Sequence, residues 1–148
     1  MSKNVYIVSG VRTPFCKMGS DFTTASASDL GVCSTKRLFT NLDLDPSIID
    51  ESVMGCVCQP ADTANITRVI ALRAGVPKSV PAYTVHRNCA SGIESVTQVS
   101  DKINAGRGSV YLSGGSENMT NAPFIYNASA VKKFTKLSRS RYFRDKLH

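Results

Sequence analysis

A chain of 148 residues is long enough for one domain with a buried core, and its 42% hydrophobic, 20% charged composition is that of an ordinary globular protein. No apolar run approaches the roughly 20 residues of a membrane-crossing helix, and Met1-Ser2-Lys3-Asn4 lacks the charged-then-apolar pattern of a leader, so a cytoplasmic location is the expectation. The net charge of +7 is uneven: of 18 Lys/Arg and 11 Asp/Glu, seven and one fall in residues 131–148, leaving 11 and 10 before them.

Val5-Tyr6-Ile7-Val8 is a short β-rich run and predicts a buried strand. Pro14 breaks the following loop. Ser28-Asp29 predicts the cap of a helix reaching about Asn41, with Leu30, Val32, Cys33, Leu38 and Phe39 as its apolar positions. Asp43 to Pro46 is turn chemistry. Ser52 to Cys58 predicts a second buried strand, and a helix follows from about Asn65 to Ala74. Gly75 is placed to stop that helix and Pro77 to prevent its resumption. Ala82 to Val85 predicts a third strand. The next helix carries Ile93, Val96, Val99 and Ile103 at the spacing of one buried face, with Gly106 at its end. Val110 to Ser113 predicts a fourth strand running into Gly114-Gly115. Strands alternating with helices argue for an α/β domain, its sheet largely parallel and flanked by helices. The alternation stops near Met119. Residues 1–119 are therefore read as the α/β domain and 120–148 as a separate basic end, with an amphipathic helix around Phe134, Leu137 and Phe143.

The five cysteines are odd in number and dispersed, which argues against a disulfide framework. Cys56 and Cys58 have one residue between them and not the two of a common metal-binding pair, which disfavours a shared metal. Cys16, Cys33, Cys56 and Cys58 are read as packing residues. Cys89 is different, because it sits between a strand and a helix. Thiolate is the reactive form of cysteine, and a helix N-terminus favours the anion through its unpaired N–H groups and dipole. The same amides can stabilise an oxyanion on an attacked carbonyl. Gly92 leaves room for close approach.

The stretch Tyr83-Thr-Val-His-Arg-Asn-Cys89-Ala-Ser-Gly92 resembles the nucleophile signature of the thiolase family. Ser9-Gly-Val-Arg-Thr-Pro-Phe15, the segment from Asn65-Ile-Thr-Arg68 to Ala74-Gly75-Val76-Pro77, and Ser113-Gly-Gly-Ser-Glu-Asn-Met119 resemble three further segments of the family in the same order. His86 stands where the family often has Asn, and Cys16 where it often has Gly. The ketoacyl synthases share the fold and the cysteine, but the Arg-Thr-Pro and Ser-Gly-Gly-Ser-Glu segments are thiolase-like.

The resemblance implies the N-terminal half of a five-layered αβαβα fold, incomplete here. It implies that Cys89 attacks a 3-ketoacyl-CoA, keeps the acyl group and passes it to coenzyme A, or condenses acyl-CoA in reverse. Ping-pong kinetics would follow. It makes the Cys89 N–H an oxyanion donor and coenzyme A a substrate, with no metal or redox cofactor. The family's second-half histidine and cysteine have no counterpart here, so the chain alone is expected to lack turnover. The expected partners are acyl-CoA, coenzyme A, and either a second copy or a missing second half, but not nucleic acid. The other reading is a non-catalytic module that binds acyl-CoA or a partner subunit. For the basic end, Lys132, Lys133, Lys136 and Arg139 are candidates for the coenzyme's phosphates; a solvated face and an anionic membrane surface are the other readings.

Overall fold

The computed structural model describes residues 4–139. Three parallel strands, β1 (Glu51–Gly55), β2 (Ala82–Val85) and β3 (Tyr111–Gly115), form a sheet in the order β2-β1-β3. Gly55 pairs with both Val85 and Gly115, so the strands end level at their C-terminal edge. Helices α1 (Ala27–Leu42) and α2 (Ile66–Ala74) cover one face, and α3 (Ser91–Asn104) covers the other. Helix α4 (Ala128–Arg139) follows a short 3-10 turn at Met119–Asn121. The result is three layers, α/β/α, as the alternating pattern predicts.

The pleat divides the core. Met54 and Leu112 face α1 and α2, where Val32, Phe39, Ile66 and Ile70 complete the larger cluster. Val53 and Val85 face the opposite way and pack with Val99 of α3. Gly31 lets α1 approach α2, because a Cβ there would lie 2.3 Å from Ile70 Cδ1. At the other end of α3, Lys102 pairs with Glu51 at 2.6 Å and lies over the Tyr83 ring.

Helix α2 keeps its predicted ends. The Asn65 side chain accepts from the Arg68 N–H, and Gly75 takes the left-handed φ of +103° that a stop requires. The Asn65-Ile-Thr-Arg68 segment also clamps α2 to β2. Asn65 donates to Ala82 O at 2.9 Å, Thr67 and Thr84 share a 2.9 Å hydroxyl contact, and Arg68 donates to the carbonyls of Val80 and Lys78.

Helix α1 starts earlier than the sequence reading places it. Ser26 is the N-cap: its hydroxyl accepts from Asp29 N–H, and Asp29 accepts from Ser26 N–H at 3.0 Å. This reciprocal box satisfies two orphan donors at once and outcompetes a cap at Ser28. Bonds from the Ser26 backbone and hydroxyl, reinforced by Arg73, lower the Asp29 carboxyl from its usual 3.8 to about 2. Because the folded value lies below the unfolded one, the stabilisation is complete above about pH 4 and is lost as pH falls toward 2. Asp29→Asn is therefore expected to flatten the acid limb of stability, read by urea unfolding between about pH 2 and 5.

Three expectations need correction. Val5–Val8 forms no strand; Tyr6, Ile7 and Val8 are exposed by 76%, 82% and 83%. A strand is stable only beside a hydrogen-bonding neighbour, and among the described residues this run has none. The buried face of α3 is Ser91, Ser95 and Val99, while Ile93 is 62% exposed. Cys33 of α1 is exposed rather than packed. Phe143, Arg141, Arg144, Asp145, Lys146 and His148 lie outside the described residues.

Candidate active site

The loops leaving the C-terminal ends of the three strands converge on one cleft of about 920 Å³. Binding at this edge is the usual arrangement in parallel α/β sheets. Its walls come from the N-terminal arm around Arg12–Met18, the end of β1 through Cys58, the turn carrying Cys89, and residues 115–120. Four of the five cysteines line it: Cys16, Cys56, Cys58 and Cys89.

Cys89 is exposed and stands two residues before the first residue of α3. The turn that presents it is held tightly. Asn88 adopts a left-handed φ of +48°, which only a few residue types other than glycine tolerate. Ser91, itself 3% exposed, staples the turn: its hydroxyl accepts from Arg87 N–H and donates to Asn88 O, both at 2.7 Å. Arg87 also pairs with Glu94 one turn along the helix, and Gln98 and Arg87 together hold the Glu94 carboxyl below its usual range. No side chain caps α3. The Ala90 and Ser91 N–H groups turn back onto Arg87 O at 3.1 Å and Asn88 O at 3.0 Å, which leaves the Gly92 and Ile93 amides for an anion beside the sulfur.

Close packing under this turn explains the shape of the site. A Cβ on Gly55 would lie 2.4 Å from the Ser91 carbonyl carbon and 2.7 Å from Gly92 N. The first turn of α3 thus rests directly on the end of β1. At this end of the interface small residues fit, and buried Ser95 fills it by bonding Gly92 O, Ser113 Oγ and Gly114 O. Ile93 is turned to solvent for the same reason. Gly92 borders the cleft, where a Cβ would meet no protein atom within 4 Å.

Glu117 builds the opposite wall. Its carboxylate accepts from Val57 N–H at 2.8 Å, Cys58 N–H at 3.1 Å and the Cys56 thiol at 3.7 Å. Strand β1 therefore ends at Gly55, and the predicted strand through Cys58 becomes a turn wrapped on this carboxylate. Burial, followed by the Glu117 charge and hydrogen bond, pushes the Cys56 thiol up to about 12. Partial burial and Asp21 raise Cys16. Both thiols stay protonated at neutral pH and do not compete as nucleophiles. Asn118, buried, ties the same segment to the start of α1 by donating to Phe22 O and Ala25 O.

The expected residues divide in two. Cys89 and Gly92 meet at the cleft. Lys132, Lys133, Lys136 and Arg139 lie exposed on α4, and none of them lines it. His86 is exposed and also stands outside the lining. Gly55, Ser91 and Glu117 escaped the sequence reading as individual functional residues. Their position in or beside glycine-rich segments at strand ends is the signal that marks them.

The description of the thiolase N-terminal domain matches residues 5–145. This chain belongs to the thiolase family. It is 34% identical over 143 residues to a 3-ketoacyl-CoA thiolase of Aliivibrio fischeri strain MJ11, covering 97% of this chain and 32% of that protein. A probable acetyl-CoA acyltransferase of Staphylococcus aureus is 35% identical over 125 residues, covering 84% of this chain and 32% of the relative. Among solved structures, the Acat5 thiolase of Ascaris suum in complex with coenzyme A superposes with a TM-score of 0.81 at 35% identity, over 85% of this chain and 33% of that one. The acetyl-CoA acetyltransferase of Bacillus anthracis gives 0.77 at 30% identity, over 82% and 31%. The chain thus spans about a third of the length of these thiolases.

Proposed function

We propose that this chain carries the nucleophile half of a thiolase site, in which Cys89 accepts an acyl group from acyl-coenzyme A. The observation that carries the reading is an exposed cysteine in a cleft, at the uncapped start of a helix whose first turn is locked onto the sheet. The Cys89 sulfur attacks the 3-keto carbonyl of a 3-ketoacyl-CoA. Electron density moves onto the carbonyl oxygen, which the amides at the start of α3 stabilise. The C2–C3 bond then breaks, leaving the acyl group on sulfur and acetyl-CoA as an enolate that takes up a proton. Coenzyme A thiolate attacks the acyl-sulfur bond and restores Cys89. Run backwards, the same steps condense two acyl-CoA molecules.

The described cleft offers no imidazole to take the thiol proton or return one to the enolate. Turnover is therefore assigned to the assembled protein, with the proton-transfer groups supplied from beyond these residues. The chain by itself is limited to reaction at the sulfur, and negligible thiolytic turnover is the expected result with acetoacetyl-CoA. Read this way, it is an acyl-accepting half-site and not an inert acyl-CoA-binding module.

Two exposed cysteines make the test internal. Cys33 lies inside helix α1 and Cys89 before α3, and both are open to solvent. Iodoacetamide at neutral pH is expected to alkylate Cys89 at least about fivefold faster than Cys33, the size of a helix-terminus effect on an anion of about 1 kcal/mol. Acetyl-CoA should protect Cys89 alone. Equal labelling of the two, with no protection, contradicts the proposal.

A further inference from the structure

From Asn118 to Arg139 the chain contains no carboxylate, yet Lys132, Lys133, Lys136 and Arg139 all fall in its last eight residues. No residue of α4 is buried, and the ion pairs found among the described residues do not involve its cations. At about 100° per residue, the four cations occupy an arc of roughly 120° on the helix. Ala130, Val131, Phe134 and Leu137 occupy the opposite arc, and the last three are exposed by 50%, 54% and 37%. The approach to the helix extends this apolar strip. Phe124 and Ile125 are 87% and 96% exposed, and Tyr126 packs edge-on against Phe134 at 5.1 Å. Asn127 caps the helix by accepting from Ala130 N–H at 2.9 Å, so α4 has a local start of its own.

We infer that α4 and the Phe124–Tyr126 strip lie in the headgroup layer of an anionic lipid surface. A helix with one cationic and one apolar arc, too short to span, is the form that rests in such an interface. The charge complement selects an anionic partner. Lipid accommodates a spread of exposed apolar side chains without a matched surface. Aromatic side chains at headgroup depth fit the same placement. The four cations also stand outside the cleft, so engagement of lipid leaves Cys89 open to soluble substrate.

The test is co-sedimentation of the full chain with vesicles of phosphatidylcholine alone, or mixed with phosphatidylserine at about 7:3, in about 0.1 M salt. Binding is expected to be at least tenfold stronger on the anionic vesicles and to weaken as salt rises. Each cation near such a surface is worth about fivefold in affinity, so K132Q/K133Q/K136Q/R139Q is expected to lose about 100-fold or more after screening. F134S should lose several-fold, while K36Q/R37Q, which removes exposed cations of α1, should change binding by less than about threefold. Equal binding to both vesicle types overturns the inference. So does an equal loss in K36Q/R37Q, which reduces the effect to net charge, or full binding by F134S. Release from the vesicles by stoichiometric coenzyme A reassigns the cations to a soluble phosphate and also overturns it. Absence of vesicle binding, with self-association that F134S abolishes, makes the face a protein contact instead. All variants are at exposed positions, and far-UV circular dichroism checks that each remains folded.

Discussion

Replacing Cys89 with serine is expected to lower acyl uptake from acetyl-CoA by about 10⁴-fold or more, the scale on which loss of a covalent nucleophile is felt. The reaction in the chain alone is thioester exchange: Cys89 sulfur takes the acetyl group and coenzyme A leaves as its thiolate. A serine hydroxyl at the same place is a far weaker nucleophile at neutral pH, and the cleft-lining residues described include no imidazole to activate it. Intact-mass measurement of the chain after incubation with acetyl-CoA reads one added acetyl group in the parent and none in the variant. Cys33→Ser is the control for exposure alone and should leave the added mass in place. Cys56 is not expected to accept the group even though it lines the cleft, because burial and Glu117 keep its proton on. An acetyl group that persists in Cys89→Ser and maps to Cys56 or Cys58 would assign the chemistry to the wall of the cleft.

What was legible in the sequence was local. Asn65, Gly75 and Pro77 fix the ends of α2 through caps and a left-handed stop that involve near neighbours, and β2 runs from Ala82 to Val85 as its β-branched and aromatic content predicts. The place of Cys89 between β2 and α3 was legible for the same reason, since a strand-turn-helix junction is a short-range pattern. Apart from the start of α1, where the local Ser26–Asp29 box displaced the expected cap, the misreadings concern partners distant in the chain. Val5–Val8 has the composition of a strand but needs an edge to pair with. Ile93 matches the helical period, yet the first turns of α3 put serines inward because Gly55 and Gly115 bring the end of the sheet too close for larger side chains there. The wall around Glu117 joins groups about 60 positions apart, so no local pattern announces it. The cations of α4 were visible as charges, but their separation from the cleft is a property of the fold.

Gly55→Ala is expected to destabilise the chain by about 2–3 kcal/mol, a large fraction of the stability of a small domain. The added methyl would fall 2.4 Å from Ser91 C, 2.5 Å from Ser91 O and 2.7 Å from Gly92 N. These are backbone atoms, so no side-chain rotation relieves the overlap; the first turn of α3 must lift away from β1. That movement strains the Ser91 staple on Arg87 and Asn88 and shifts Cys89 relative to the amides behind it. Urea unfolding should therefore show a lower midpoint, and iodoacetamide labelling of Cys89 should slow in the protein that remains folded. Gly92→Ala separates the two effects. A methyl at Gly92 meets no protein atom, and an alanine inside the first turn of α3 is favoured over glycine by up to about 1 kcal/mol. Its stability should hold or rise, while its methyl occupies cleft space and slows acetyl transfer to Cys89. If both variants instead lose stability together and acylate at the parent rate, the close seat of α3 on the end of β1 is not what positions the sulfur.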